Sequence, residues 1–178
     1  MPLVAAVLVD MGVLVIGKCH DAGTALRSIR WDLYLLLGGL YSFSVALQKI
    51  GLANQAASSL LMLLQHSSAY TSLLVIYAIT LVATELLSNA GAVALVLPIA
   101  AALATGLGQP PMLFATAVAF SASQSFLSPI GYQTNLMVYA PGHYSFLDFF
   151  RFGWPLSLTH TLMVPLLLLR VSRVPAAA

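Results

Sequence analysis

Apolar residues run along this chain in long stretches separated by short polar clusters. The first stretch, Pro2 to Gly17, has no basic residue ahead of it and contains Asp10. It therefore predicts a short helix, or the remainder of a longer one, and not a cleavable signal peptide. Residues 18 to 32 are the most polar part, with Lys18, His20, Asp21, Arg27, Arg30 and Asp32. They predict a loop outside hydrocarbon, able to hold a short surface helix over 21–29. Trp31 stands where the chain turns apolar again, the boundary that indoles favour. Leu33 to Ile50 is the second apolar segment, and Gly38-Gly39 in its middle permits close approach of another helix. In residues 52 to 66, Asn54, Gln55, Ser58, Ser59, Gln65 and His66 alternate with leucines, which predicts an amphipathic helix at the membrane interface.

Two arms follow, Tyr70 to Leu87 and Ala92 to Leu107, around the polar break Thr84-Glu85-Leu86-Leu87-Ser88-Asn89-Ala90-Gly91. Crossing hydrocarbon takes about 20 helical residues. Each arm is slightly short, so the pair fits either two crossings around a turn or a re-entrant hairpin. Gly106 to Pro111 is a turn, and Pro110-Pro111 is well placed to start a helix. Pro111 to Leu127 is the next apolar segment. Its Ser121, Ser125 and Ser128 fall at i, i+4 and i+7, a polar stripe on an apolar helix that reads as packing glue between helices. A second break, Ser128-Pro129-Ile130-Gly131-Tyr132-Gln133-Thr134-Asn135, excludes a regular helix through its proline and glycine. Leu136 to Ala140 is too short to cross. Residues 141–144 predict a turn, 143–151 a surface loop with Asp148 and Arg151, and Gly153 to Leu169 a last crossing ended by Arg170 and Arg173. About five to seven hydrophobic segments are expected in all, at least one of them broken.

Composition turns this pattern into a class. Of the 178 residues, 60% are hydrophobic and 7% charged, against about 25% charged in soluble domains. The fold expected is all-α and integral to the membrane, as a single transmembrane domain over 1–178. Lys and Arg sit at segment edges, which suits membrane flanks and not a nucleic-acid face. The single Cys19 allows no internal disulfide, and the four histidines form no metal spacing. No Gly-x-Ser-x-Gly, His-Glu-x-x-His or paired acids at helical spacing occur, so neither an enzyme nor a cofactor is expected.

The informative feature is the pair of breaks. Between Leu33 and Gly142 only Lys49 and Glu85 carry a formal charge, and an ionisable group in such surroundings faces a cavity or a partner. Discontinuous helices in transporters present half-helix ends to anions and unwound carbonyls to Na⁺. Thr84 and Asn89 offer side-chain oxygens, and the stretches around Leu87 and Gly131 offer carbonyls. These hard, neutral oxygens suit an alkali cation. Ala90 and Gly91 leave the N–H groups of the next helix open to a dianion. Glu85 reads equally as a coupling acid or as a structural acid hydrogen-bonded beside Asn89.

The chain resembles the C-terminal half of the divalent anion:sodium symporter family, which carries sulfate, dicarboxylates and citrate. The resemblance rests on Ile29-Arg30-Trp31-Asp32, Leu37-Gly38-Gly39, Lys49-Ile50-Gly51-Leu52, Thr84-Glu85 with Ser88-Asn89, Leu97-Pro98-Ile99, Ser128-Pro129 through Asn135, Val138-Tyr139 and Pro141-Gly142. It implies one inverted-repeat half of a secondary transporter, with a helical hairpin and a broken transmembrane helix. It implies a sodium site at Thr84, Leu87, Asn89 and Gly131, and anion contacts from Ser88, Asn89, Ala90, Tyr132, Thr134 and Asn135. Sodium would be the coupling ion, with a small dianion as substrate, in a multi-pass protein of the plasma (inner) membrane.

Three departures matter. Ala90 stands where the family tip usually has Thr, so one hydroxyl contact to the anion is lost. Tyr132-Gln133-Thr134-Asn135 replaces the usual Thr-Pro-Pro-Asn. This looks more like the branch whose halves are separated by domains of potassium-uptake regulatory type, and it favours a small inorganic dianion over citrate. Only one repeat is present, so a second transporter half or a second copy of the chain is expected as partner. The alternatives are a truncated or structural membrane subunit, or a proton-coupled anion permease.

Overall fold

The computed structural model describes residues 3–17, 23 and 31–172, which divide into two units, 1–38 and 39–178. Of the expected loop over 18–32 with its surface helix, residues 18–22 and 24–30 lie outside the described residues, whereas Trp31 and Asp32 are already helical. In the first unit, α1 (Leu3–Ile16) is a single apolar helix, closed by the Gly17 N–H donating to Val13 O at 2.8 Å. Helix α2 (Trp31–Lys49) runs across the division between the units. The second unit adds α3 (Leu52–Leu64), α4 (Ala69–Leu86), α5 (Asn89–Gly106), α6 (Pro111–Ala122), α7 (Gln133–Tyr139) and α8 (Phe146–Ser172). The architecture is all-helical, as expected for an integral membrane chain.

Local chemistry explains the element ends. Ser68 and Ser88 cap α4 and α5, each side chain accepting a backbone N–H three residues on. Pro111 opens α6 where a missing N–H costs nothing. Helix α8 starts seven residues before the expected Gly153. Ser145 donates from its N–H and its hydroxyl to Asp148 Oδ2, at 2.7 and 2.8 Å, a cap that turns the expected surface loop into a first helical turn.

Helices α4, α5 and α6 form the core, with α5 against α6, α6 against α4, α3 against α5, and α8 against α4 and α6. In hydrocarbon, apolar burial supplies no drive between helices, so close packing and hydrogen bonds must hold them. Ala100, Ala104 and Ala117 are fully buried among Leu73, Ile76, Leu103, Phe114 and Val118, and such small residues let backbones approach. Helix α3, expected at the interface, sends Ala57 and Leu64 into this core. A Cβ at Gly106 would stand 3.1 Å from Leu61, so the α3–α5 contact leaves little room for a side chain.

A polar string stitches α4, α6 and α8. Ser121 Oγ donates to Tyr77 O at 2.6 Å, the Tyr77 hydroxyl to Gln124 Oε1 at 2.7 Å, and Gln124 Nε2 to Ser157 O at 2.9 Å. Among the described residues, three helices, α4, α5 and α8, are long and apolar enough to cross a membrane. The arms α4 and α5 form the expected hairpin, joined through Leu87 and Ser88.

Candidate functional site

Helix α6 stops at Ala122, and the chain is not helical again until Gln133. The serine stripe is therefore not one helix face. Ser121 is the expected glue, whereas Ser125 and Ser128 lie on the unwound segment. Unwound backbone in an apolar region needs its polar groups satisfied by protein. Glu85 Oε1 accepts the Leu127 N–H at 2.9 Å, and Ser128 Oγ donates to Glu85 O at 3.3 Å. Asn135 Nδ2 donates to the carbonyls of Ser125 and Ser128, at 2.8 and 3.1 Å. The Gly131 N–H donates to Ser128 Oγ at 3.1 Å. The partner of the Glu85 carboxylate is thus the broken segment and not Asn89, as the structural alternative had it. Its other oxygen, Oε2, is buried without a hydrogen-bond partner.

Beside this brace, the hairpin tip and the broken segment meet in a cluster of oxygens. Thr84 is fully buried and its hydroxyl donates to Ala122 O at 2.7 Å. The inward atom of the Asn89 amide lies 2.9 Å from Thr84 Oγ1, 3.0 Å from Ala122 O, 3.2 Å from Gly131 O and 3.3 Å from Ser125 Oγ. Ser125 Oγ donates to Gly131 O at 3.2 Å. A Cβ at Gly131 would come within 2.9 Å of Ser125 Oγ and 3.0 Å of Glu85 Oε2, so only glycine fits there without displacement. The donor set is hard and neutral. Among the described residues, no three His, Cys, Asp or Glu side chains converge as a transition-metal site would require.

Thr84, Asn89 and Gly131 of the expected sodium set are therefore in one place. Leu87 ends α4 in extended conformation, its N–H on Ala83 O, and the hydrogen bonds joining the cluster do not run through it. Ser125 and the Ala122 carbonyl belong to the cluster and were not anticipated. The serine stripe contained the signal for Ser125 but was read as packing. Among the expected anion contacts, the Ser88 hydroxyl caps Gly91 N–H, and the Asn135 amide holds the broken segment. Tyr132 and Thr134 are exposed, and Asn89 and Ala90 half-buried. The second break is shifted from the expected 128–135: it begins after Ala122 and ends at Tyr132, and Gln133, Thr134 and Asn135 form the first turn of α7.

A helical hairpin whose tip meets an unwound segment, in an all-helical membrane chain, is an arrangement that membrane transporters use. The family model described as "Citrate transporter" matches residues 1–119. The chain is 46% identical over 158 residues to an "Uncharacterized transporter" of Synechocystis, covering 89% of this chain and 26% of that protein. It is 38% identical over 152 residues to "Probable sodium/sulfate cotransporter 3" of Chlamydomonas reinhardtii, covering 85% and 17%. It is 29% identical over 133 residues to the "Na(+)/citrate cotransporter" of Mus musculus, covering 75% and 23%. The chain belongs to this citrate transporter family, within the divalent anion:sodium symporters. The family is one of transporters and not of enzymes. The chain spans about a quarter or less of the length of these three relatives.

Proposed function

We propose that the chain is one repeat of a multi-pass carrier in the plasma (inner) membrane, which moves a divalent anion, sulfate or dicarboxylate, together with sodium. The observation that carries the reading is the oxygen cluster, in which Thr84, Asn89 and Gly131 O meet between the hairpin tip and the broken segment. Neutral oxygens at a helix break suit a hard monovalent cation and do not trap it with net charge. Ser88, Asn89, Ala90, Tyr132, Thr134 and Asn135 lie on the hairpin tip and the end of the broken segment, where an anion would be held next to the cation. Sulfate is favoured over citrate by the names of the more similar relatives, sodium/sulfate cotransporters at 36 to 38% identity. Alternating access would move hairpin and broken segment against the remaining helices. A second half, or a second copy of the chain, would supply the opposing tip.

The test is uptake of labelled sulfate and of labelled succinate into proteoliposomes under a sodium gradient, with the chain alone and with a companion half. Sodium-driven uptake of either anion is expected. Folded protein without uptake in both preparations favours a structural subunit. One observation favours a second reading, proton coupling: Glu85 Oε2 is buried and unpartnered beside Gly131. Uptake driven by a proton gradient, and indifferent to sodium, would select it.

A further inference from the structure

Gln124 is 3% exposed, the most buried of the polar side chains in the broken segment. Burying an amide in apolar surroundings is costly unless its two ends are bonded, and here both are. The Tyr77 hydroxyl donates to Oε1 at 2.7 Å, and Nε2 donates to Ser157 O at 2.9 Å. The residue stands between the end of α6 at Ala122 and the oxygen cluster, which Ser125 joins at the next position. Contacts alternate along this stretch. Gln124 and Phe126 meet α8, the first through Ser157 O and the second through its carbonyl, which a Cβ at Gly153 would overlap. Ser125 and Leu127 are bonded elsewhere: Ser125 Oγ lies 3.3 Å from the Asn89 amide and donates to Gly131 O, and the Leu127 N–H donates to Glu85. Gly153 and Ser157 are four residues apart on α8 and so share one face. That face backs the broken segment at two points.

We propose that Gln124 is a positioning residue for the transport site: its amide ties the broken segment to α8 and so sets where Ser125 and the Ala122 carbonyl stand in the oxygen cluster. This rests on the sodium reading above and goes beyond it, because it gives α8, which contributes no residue to the cluster, control over cation affinity. The physical reason is the length of the break. Residues 123–132 have no helical ladder to hold them, and an oxygen serves a cation well only while groups behind it fix its place. Gln124 is such a group, anchored on α4 through Tyr77 and on α8 through Ser157. Ser121 makes the contrast. It belongs to the same polar string, donating to Tyr77 O at 2.6 Å, but it stands on the last turn of α6, where the helix already holds its backbone. Losing the Ser121 bond loosens α6 against α4 without freeing the segment beyond it.

The test reads the sodium dissociation constant from the rise in melting temperature as sodium chloride replaces choline chloride, since an ion that binds only folded protein stabilises it according to its affinity. It is made on the whole chain in detergent, with its companion half where one is required. Gln124→Met keeps the length of the side chain and removes both bonds. It is expected to raise the constant about fivefold, within the range by which residues outside a site modulate it. Ser121→Ala also removes a buried bond of the string, and is expected to lower the melting temperature without sodium while leaving the constant unchanged. An unchanged constant in Gln124→Met would overturn the proposal. So would an equal rise in Ser121→Ala, because both changes would then act by general loosening. If Gln124→Met fails to fold, Tyr77→Phe decides in its place: it frees one end of the amide and leaves the Tyr77 carbonyl that Ser121 uses. A rise of about twofold is expected there, and no change overturns the proposal. Wild-type protein without any response to sodium would overturn the sodium reading itself, and this inference with it.

Discussion

The hairpin tip and the broken segment both interrupt helices in apolar surroundings, but they are held differently. The tip interruption is two residues, Leu87 and Ser88, between α4 and α5. It is closed by its own residues: the Leu87 N–H returns to Ala83 O, and Ser88 caps α5. The broken segment runs over ten residues, 123–132, between α6 and α7. It depends on groups from elsewhere: Glu85 on Leu127, Asn135 on Ser125 and Ser128, and Tyr77 and Ser157 on Gln124. A short break can be solved locally by a cap, whereas a long one in hydrocarbon needs distant polar side chains. The hairpin is therefore part of the scaffold of the segment it faces.

Substitutions can break that asymmetry in order of size. Asn89→Ala removes the amide shared by tip and segment, and is expected to abolish sodium-driven uptake; unchanged uptake would sink the site assignment. Gly131→Ala forces a methyl against Ser125 Oγ and Glu85 Oε2, displacing the carbonyl between them. A loss of about 1–3 kcal/mol by thermal unfolding in detergent is expected from such overpacking, together with a weaker sodium dependence of uptake.

Glu85→Ala leaves the Leu127 N–H orphaned, which costs about 1–3 kcal/mol. Glu85→Gln keeps an acceptor there and is expected to retain stability. If the Gln variant folds but loses uptake, Glu85 does more than brace the segment. Tyr77→Phe removes one buried bond of the α4–α6–α8 string, worth about 0.6 kcal/mol inside a membrane protein, so a small fall in melting temperature is expected. Ser88→Ala tests the self-contained tip. It should cost about 1 kcal/mol as a lost helix cap and leave half-saturating sodium unchanged; a large change there would give the hydroxyl a role in the site.

Much of this was legible along the chain. Long apolar runs placed the hairpin arms, Pro110-Pro111 the start of α6, and Pro129 with Gly131 the second break. The errors have local causes. The expected loop over 143–151 took Asp148 as loop polarity, although its spacing from Ser145 is that of a cap. The serine stripe was read on a continuous helix, and unwinding after Ala122 sent Ser125 to the oxygen cluster while Ser121 stayed in the packing. Asn135, expected at the anion, also braces the segment through its amide, a contact that no motif announces.

What the sequence determined by itself is what short range can carry: hydropathy sets the membrane class, proline, glycine and serine set where helices stop, and the motif order sets the family. What only the tertiary structure decided is which atoms face one another across the breaks. Thr84 and Asn89 meet Ala122, Ser125 and Gly131 from about 40 residues away, as the 38 positions between Thr84 and Ala122 illustrate. No periodicity reports such a meeting, because it depends on how α4, α5 and α6 pack and on the point at which α6 unwinds. The oxygen cluster around Asn89 exists only once those five residues are together.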